Sequence, residues 1–113
     1  MATSPVRSRP TAVFFTAANT AALTVTATSA NVAIPVGGDG HLLLTNDGTN
    51  IVYIALGTDN TVAAAIPVNG TPANGIPLLP NTQMQIFAGT GTYIAAIAGA
   101  TGNTLFITPG YGA

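Results

Sequence analysis

The chain has 113 residues, of which 48% are hydrophobic and only 4% charged, with two basic residues, three acidic residues and no cysteine. That length holds one hydrophobic core, the composition excludes disorder, and a formal net charge of −1 offers no electrostatic handle for nucleic acid or an anionic membrane. Without Cys, Lys or Glu the chain has no thiol nucleophile, Schiff-base lysine, glutamate base, disulfide framework or thiolate metal site.

Residues 1–10 form a distinct segment holding Pro5, Pro10 and both arginines, Arg7 and Arg9. Proline disfavours helix at its own position and just before it, so this segment is expected to be an extended arm ahead of a domain over 11–113. The start of the chain has no apolar run, so no secretory signal is expected. The most apolar stretch, Ile94 to Ala100, is far short of the roughly 20 residues a membrane helix needs.

From Thr11 onward the pattern is β. Leu23-Thr24-Val25-Thr26-Ala27-Thr28 alternates strictly, which predicts Leu23, Val25 and Ala27 on a core face and the threonines outside. Gln83-Met84-Gln85-Ile86 alternates in the same way. Ala12 to Phe15, Leu42 to Leu44, Ile51 to Leu56, Tyr93 to Ala98 and Leu105 to Ile107 are short apolar runs bounded by Gly, Asn, Asp or Pro. Runs apolar on both faces predict strands covered on two sides, by the core and by a partner.

Turn chemistry separates these runs. Asn46 to Asn50 joins two strands, with positive φ expected between Asn46 and Gly48. Gly37 to Gly40 separates a strand ending near Val36 from Leu42. Gly89 to Gly91 and Gly99 to Gly102 are expected to join the last three strands as a meander in one sheet. The sum is an all-β chain, an antiparallel two-sheet β-sandwich of about eight short strands.

One stretch differs. Thr61 to Ile66 reads as a strand or a short helical turn. Pro67 to Pro80, with prolines also at 72 and 77, reads as a long stiffened loop. A loop of this length serves as a crossover between sheets, as a functional segment, or as both.

Catalytic and metal motifs are weak. Asp39 and His41 make half of a dyad, but no nucleophile with a third group accompanies them. Asp39, Asp47 and Asp59 all sit at turns without calcium-loop spacing. Gly89-Thr90-Gly91 leads into a strand, not a helix, so no phosphate cradle is expected. Asn69-Gly70-Thr71 matches the glycosylation triplet, which is idle without secretion. Phe14, Phe15, Tyr53, Phe87, Tyr93, Phe106 and Tyr111 lack interleaved basic residues, so nucleic-acid stacking is not expected. A sugar platform stays open, beside core or interface roles. Arg7 and Arg9 suit either an ordinary terminus or an arm that docks on carboxylates and carbonyls of a neighbouring chain.

A family resemblance joins these patterns. The run His41 to Thr58 looks like the strand, short polar turn and strand segment of small proteins in tailed-phage structural modules. Ile76-Pro77-Leu78-Leu79-Pro80-Asn81-Thr82-Gln83, closed by Phe87, is similar to a second stretch of theirs. Tyr93 to Ala98, followed by Leu105-Phe106-Ile107-Thr108-Pro109-Gly110-Tyr111-Gly112, resembles their ending. The resemblance covers residues 41–113 and is to the phage capsid decoration, or cement, proteins. It implies a jelly-roll-like sandwich, no catalytic residues and no cofactor. It implies a structural virion protein on the capsid exterior, made in the host bacterial cytoplasm, that clamps neighbouring subunits of the major capsid protein. The expected partner-binding residues are Arg7 and Arg9 in the arm and Pro72 and Pro77 in the loop. A homo-oligomer, dimer or trimer, is expected from the doubly apolar strands, with neither nucleic acid nor membrane as partner. The competing expectations are another virion part, such as a head-fibre base or tail adaptor, and a small carbohydrate-binding sandwich.

Overall fold

Alternation along the strands decides which side chains meet. On His41–Asp47 every second residue, Leu42, Leu44 and Asn46, is buried, and on Asn103–Gly112 the buried set is Asn103, Leu105, Ile107 and Pro109, with Gly110 also buried. The computed structural model describes residues 13–112. The arm over 1–10, with Arg7 and Arg9, lies outside the described residues.

The strands are β1 (Val13–Phe15), β2 (Ala21–Val25), β3 (Ala30–Ala33), β4 (His41–Asp47), β5 (Val52–Gly57), β6 (Ile76–Leu78), β7 (Thr82–Phe87), β8 (Tyr93–Ala98) and β9 (Asn103–Gly112). One 3₁₀ turn, Ala17–Asn19, separates β1 from β2. All pairings are antiparallel. One sheet runs β2-β9-β4-β7, with β1 beside the far end of β9, and the other runs β3-β8-β5-β6. Every connection from β2 to β9 crosses between the sheets except the one from β5 to β6, which are neighbours in the second sheet. Strands two to nine follow the jelly-roll order, in which consecutive strands lie in facing sheets more often than side by side. β1 is the addition: it and β2 share β9 in tandem, Phe15 opposite Gly110 and Leu23 opposite Leu105.

The core lies between the sheets. Val25, Leu42, Leu44, Val52, Ile54, Leu78, Ile94, Ala96, Ala98, Leu105 and Ile107 form one cluster. Burying each of the larger aliphatic side chains contributes about 1.5–3 kcal/mol.

Several expectations need correction. The last three strands are not a meander in one sheet: β7 and β9 both flank β4, while β8 lies in the other sheet between β3 and β5. The Gly89–Gly91 and Gly99–Gly102 turns carry the chain across the sandwich. Hairpins and arches use the same turn residues, so composition does not separate them. Asn46 to Asn50 also crosses between sheets, and no residue from Asn46 to Gly48 takes positive φ. Gly48 is required for space instead, since a Cβ there would collide with the Asn103 side chain. Ala27 is exposed, because β2 ends at Val25 and the Thr26 hydroxyl accepts the Thr28 N–H in a local turn. Thr61 to Ile66 is neither strand nor helix, and the proline-rich stretch contains the strand β6.

Candidate partner-binding surface

The second sheet has an outer face that the chain itself covers in part. Ala55 of β5 and Ala95 of β8 pack against Ala64, with Val62 and Ile97 alongside. Small residues allow this close approach. A Cβ on Gly57 would lie 2.5 Å from the Val62 Cβ. The segment is tied down by Asn31, whose Nδ2 donates to the carbonyls of Asn60 and Val62 at 3.0 and 3.2 Å. The Ala64 N–H donates to Ser29 Oγ at 2.9 Å. The cover expected from a partner over β5 is thus supplied here by residues 62–64.

This segment is the platform for the proline-rich loop. The Ala65 N–H donates to the Asn74 carbonyl at 3.0 Å, and Asn74 Nδ2 donates to the Ala63 carbonyl at 3.1 Å. Gly75 lies so close to the Ala65 carbonyl that any Cβ there would collide with it. Between these anchors the loop projects outward. Val68 and Thr71 form an isolated antiparallel bridge around Asn69-Gly70, with Gly70 at φ +81°. Val68 at this tip is 63% exposed.

Pro72 is exposed in the loop proper. Pro77 is exposed too, but it lies in β6 opposite Tyr53 of β5. β6 is an edge strand, where a missing N–H is tolerated. Ile76, just before Pro77, and Leu79, two positions after it, are both exposed, while Leu78 between them is buried. At the foot of the loop a shallow apolar cleft of about 370 Å³ is lined by Ile51, Tyr53, Ile66 and Pro80, among others. One edge of the sandwich therefore presents an uncharged surface of prolines and aliphatic side chains held on a hydrogen-bonded base.

The base has a second support that the sequence reading passed over. Asn46 is 0% exposed, and its Nδ2 donates to the carbonyls of Asn50, Leu78 and Leu79. Leu78 and Leu79 end the proline-rich segment, so Asn46 fixes its return to the core. The available signal was parity: Asn46 continues the inward series Leu42, Leu44.

At the opposite end, Asp39 and His41 are joined by a 2.7 Å hydrogen bond between Oδ1 and Nδ1. The Asp39 carboxylate also accepts the Gly112 N–H at 3.2 Å. The His41 hydrogen bond, aided by that of Gly112, holds the Asp39 carboxyl below the usual aspartate range. The His41 ring leans on Phe87, with centroids 4.9 Å apart. The pair borders a cleft of about 280 Å³ lined by Ile34, Val36, Gly91 and Thr92, among others. Among the described residues no hydroxyl is hydrogen-bonded to the imidazole. What the pair does is tie the start of β4 to the end of β9. Asp59 caps its own turn by accepting both the hydroxyl and the N–H of Thr61, which lower its carboxyl as well. Among the described residues, no three His or Asp side chains come together as a metal site.

The chain matches no protein-family model, no curated protein and no solved structure.

Proposed function

We propose that the chain is a structural protein of a tailed-phage virion, which decorates the capsid exterior and cements it by clamping neighbouring major capsid subunits. The observation that carries this reading is the segment from Pro67 to Pro80: rigidly based, free of charge, and exposing Val68 at its tip and Ile76 and Leu79 along its return. Such a segment loses little conformational freedom on docking, because proline has already restricted it. Charge is segregated in a way that supports a second contact. Every arginine is in the arm, and the three aspartates are all in the sandwich. Two weak contacts on different subunits resist separation more than either alone.

The reading includes a homo-oligomer, assembly in the bacterial cytoplasm, and no catalytic, cofactor or nucleic-acid role. A jelly-roll by itself assigns none of this, because one fold hosts many functions. The family resemblance over residues 41–113 adds the direction toward capsid decoration.

The test is to add the purified chain to phage heads assembled without it and follow binding and heat-induced rupture. The expected result is saturable coating and a higher rupture temperature. Absence of coating, or coated heads that rupture as readily as bare ones, overturns the cementing role.

A further inference from the structure

The four sheet edges are not alike. β6 is three residues long and carries Pro77, and β3 is four residues long and is followed by Pro35. The β1–β2 edge is broken by the 3₁₀ turn Ala17–Asn19. β7 is six residues long and contains no proline, no glycine and no charge. Natural edges are guarded by short length, Lys, Pro or bulges, and β7 has none of these guards.

The direction of its backbone groups follows from one bond. The Ala88 N–H donates to the Gly40 carbonyl at 2.6 Å, continuing the register that sets Ile86 opposite Leu42. Bonded pairs recur at every second residue of an antiparallel ladder, so Thr82, Met84 and Ile86 turn their main-chain groups to β4. Gln83, Gln85 and Phe87 turn theirs to the open edge. Among the described residues no strand pairs with that side of β7.

The segment is also symmetric. Asn81 and Gly89, at φ +54° and +61°, bound the extended run from Thr82 to Ala88, and Gln85 is its centre. We propose that β7 is a self-association edge, at which two copies pair β7 with β7 antiparallel about a two-fold axis through Gln85.

This register is complementary on both faces, as a two-fold contact requires. Gln85 meets its own copy, and Gln83 meets the other chain's Phe87, which is 61% exposed in the single chain. On the inner face, Met84 meets the other chain's Ile86, and both are only partly buried against the core. About six main-chain hydrogen bonds form, one for each open N–H. No charge opposes a like charge. The first sheets of the two copies become one continuous sheet.

This deepens the homo-oligomer within the proposed function, on which it rests for self-association alone and not for the capsid. Because the chain has no cysteine, Gln85→Cys introduces a single thiol. Across a bonded antiparallel pair the two Cα atoms lie about 5.5 Å apart, within disulfide range. Under mild oxidation Gln85→Cys is expected to give a covalent dimer at least tenfold faster than Gln83→Cys, whose counterpart is Phe87. In sedimentation equilibrium at tens of micromolar the unmodified chain is expected to be a dimer. Gln85→Pro, which removes an N–H that β4 does not use, is expected to be a folded monomer by circular dichroism. Gln85→Lys, which sets two cations together on the axis, is the second variant should the proline disturb folding.

Equal cross-linking of the two cysteine variants, or dimers that persist in both Gln85→Pro and Gln85→Lys, overturns the β7 edge but leaves self-association standing. A monomeric unmodified chain overturns both. A monomer whose Gln83, Gln85 and Phe87 amides become protected only on heads assigns the edge to a capsid strand, and so overturns pairing with a second copy.

Discussion

Asn50 and Asn103, 53 positions apart, exchange two hydrogen bonds: the Asn50 N–H donates to Asn103 Oδ1, and Asn103 Nδ2 donates to Asn50 Oδ1, both at 3.2 Å. Asn103 Nδ2 also reaches the Ala100 carbonyl at 3.0 Å. This buried amide joins two crossings between the sheets, the β4–β5 link and the β8–β9 link. It secures the end of the sandwich from which the proline-rich segment returns.

Replacing Asn103 with Leu is expected to destabilise the fold by about 1–3 kcal/mol, because the half-buried Asn50 N–H loses its partner and the buried amide that joins the two crossings is removed. Thr104→Ala next to it, on the outer face, is expected to stay within about 0.5 kcal/mol of the parent. Urea denaturation of the two variants measures the difference.

Gly57→Ala tests whether residues 62–64 truly cover the second sheet. The new methyl would press on Val62, whose Cβ lies 2.5 Å from the ideal position. Overpacking of this kind costs about 1–3 kcal/mol. Displacing the cover is expected to raise amide exchange at Ala64 while the β4 and β9 amides stay protected. Unchanged exchange at Ala64 would count against the cover.

The Asp39 carboxyl is held below its usual range by the His41 and Gly112 hydrogen bonds, and Asp59 by Thr61. A carboxyl depressed in the folded state binds protons more readily when unfolded. Its stabilisation is therefore fully present above the unfolded value of about 3.9 and is lost as pH falls through the folded value. The double variant Asp39→Asn, Asp59→Asn is expected to lose less stability than the parent between pH 6 and pH 2. Identical acid profiles would contradict this.

Pro72→Gly is expected to leave the sandwich intact and to weaken attachment to heads. Glycine restores freedom that docking must remove, about 0.4–1 kcal/mol at one site, or roughly two- to fivefold in affinity. A binding isotherm on bare heads reads this directly. No change in affinity would place the loop tip outside the contact.

The sequence made the strands legible because their alternation and their Gly, Asn and Pro boundaries are local. Leu23 and Val25, and Met84 and Ile86, point inward as their period requires. Allocation to sheets was not local. The glycine turns before β8 and β9 suit a hairpin as well as an arch, so an expected meander proved to be two crossings. Cover over Ala55 and Ala95 comes from Ala64, which carries no periodic signal of its own. Pro77 read as loop because proline interrupts most strands, yet an unpaired edge accommodates it. Asn46 and Asn103 were visible as inward positions in two alternating strands, but their residue type suggested turns.

Electron cryomicroscopy of intact phage heads decorated with this chain tests the proposed cementing role. Sandwich density is expected at every equivalent site of the outer shell, with the Pro67–Pro80 loop on one capsid subunit and the arm of residues 1–10 on its neighbour. Density confined to the tail ring or a fibre base, or a sandwich touching only one capsid subunit, would contradict it.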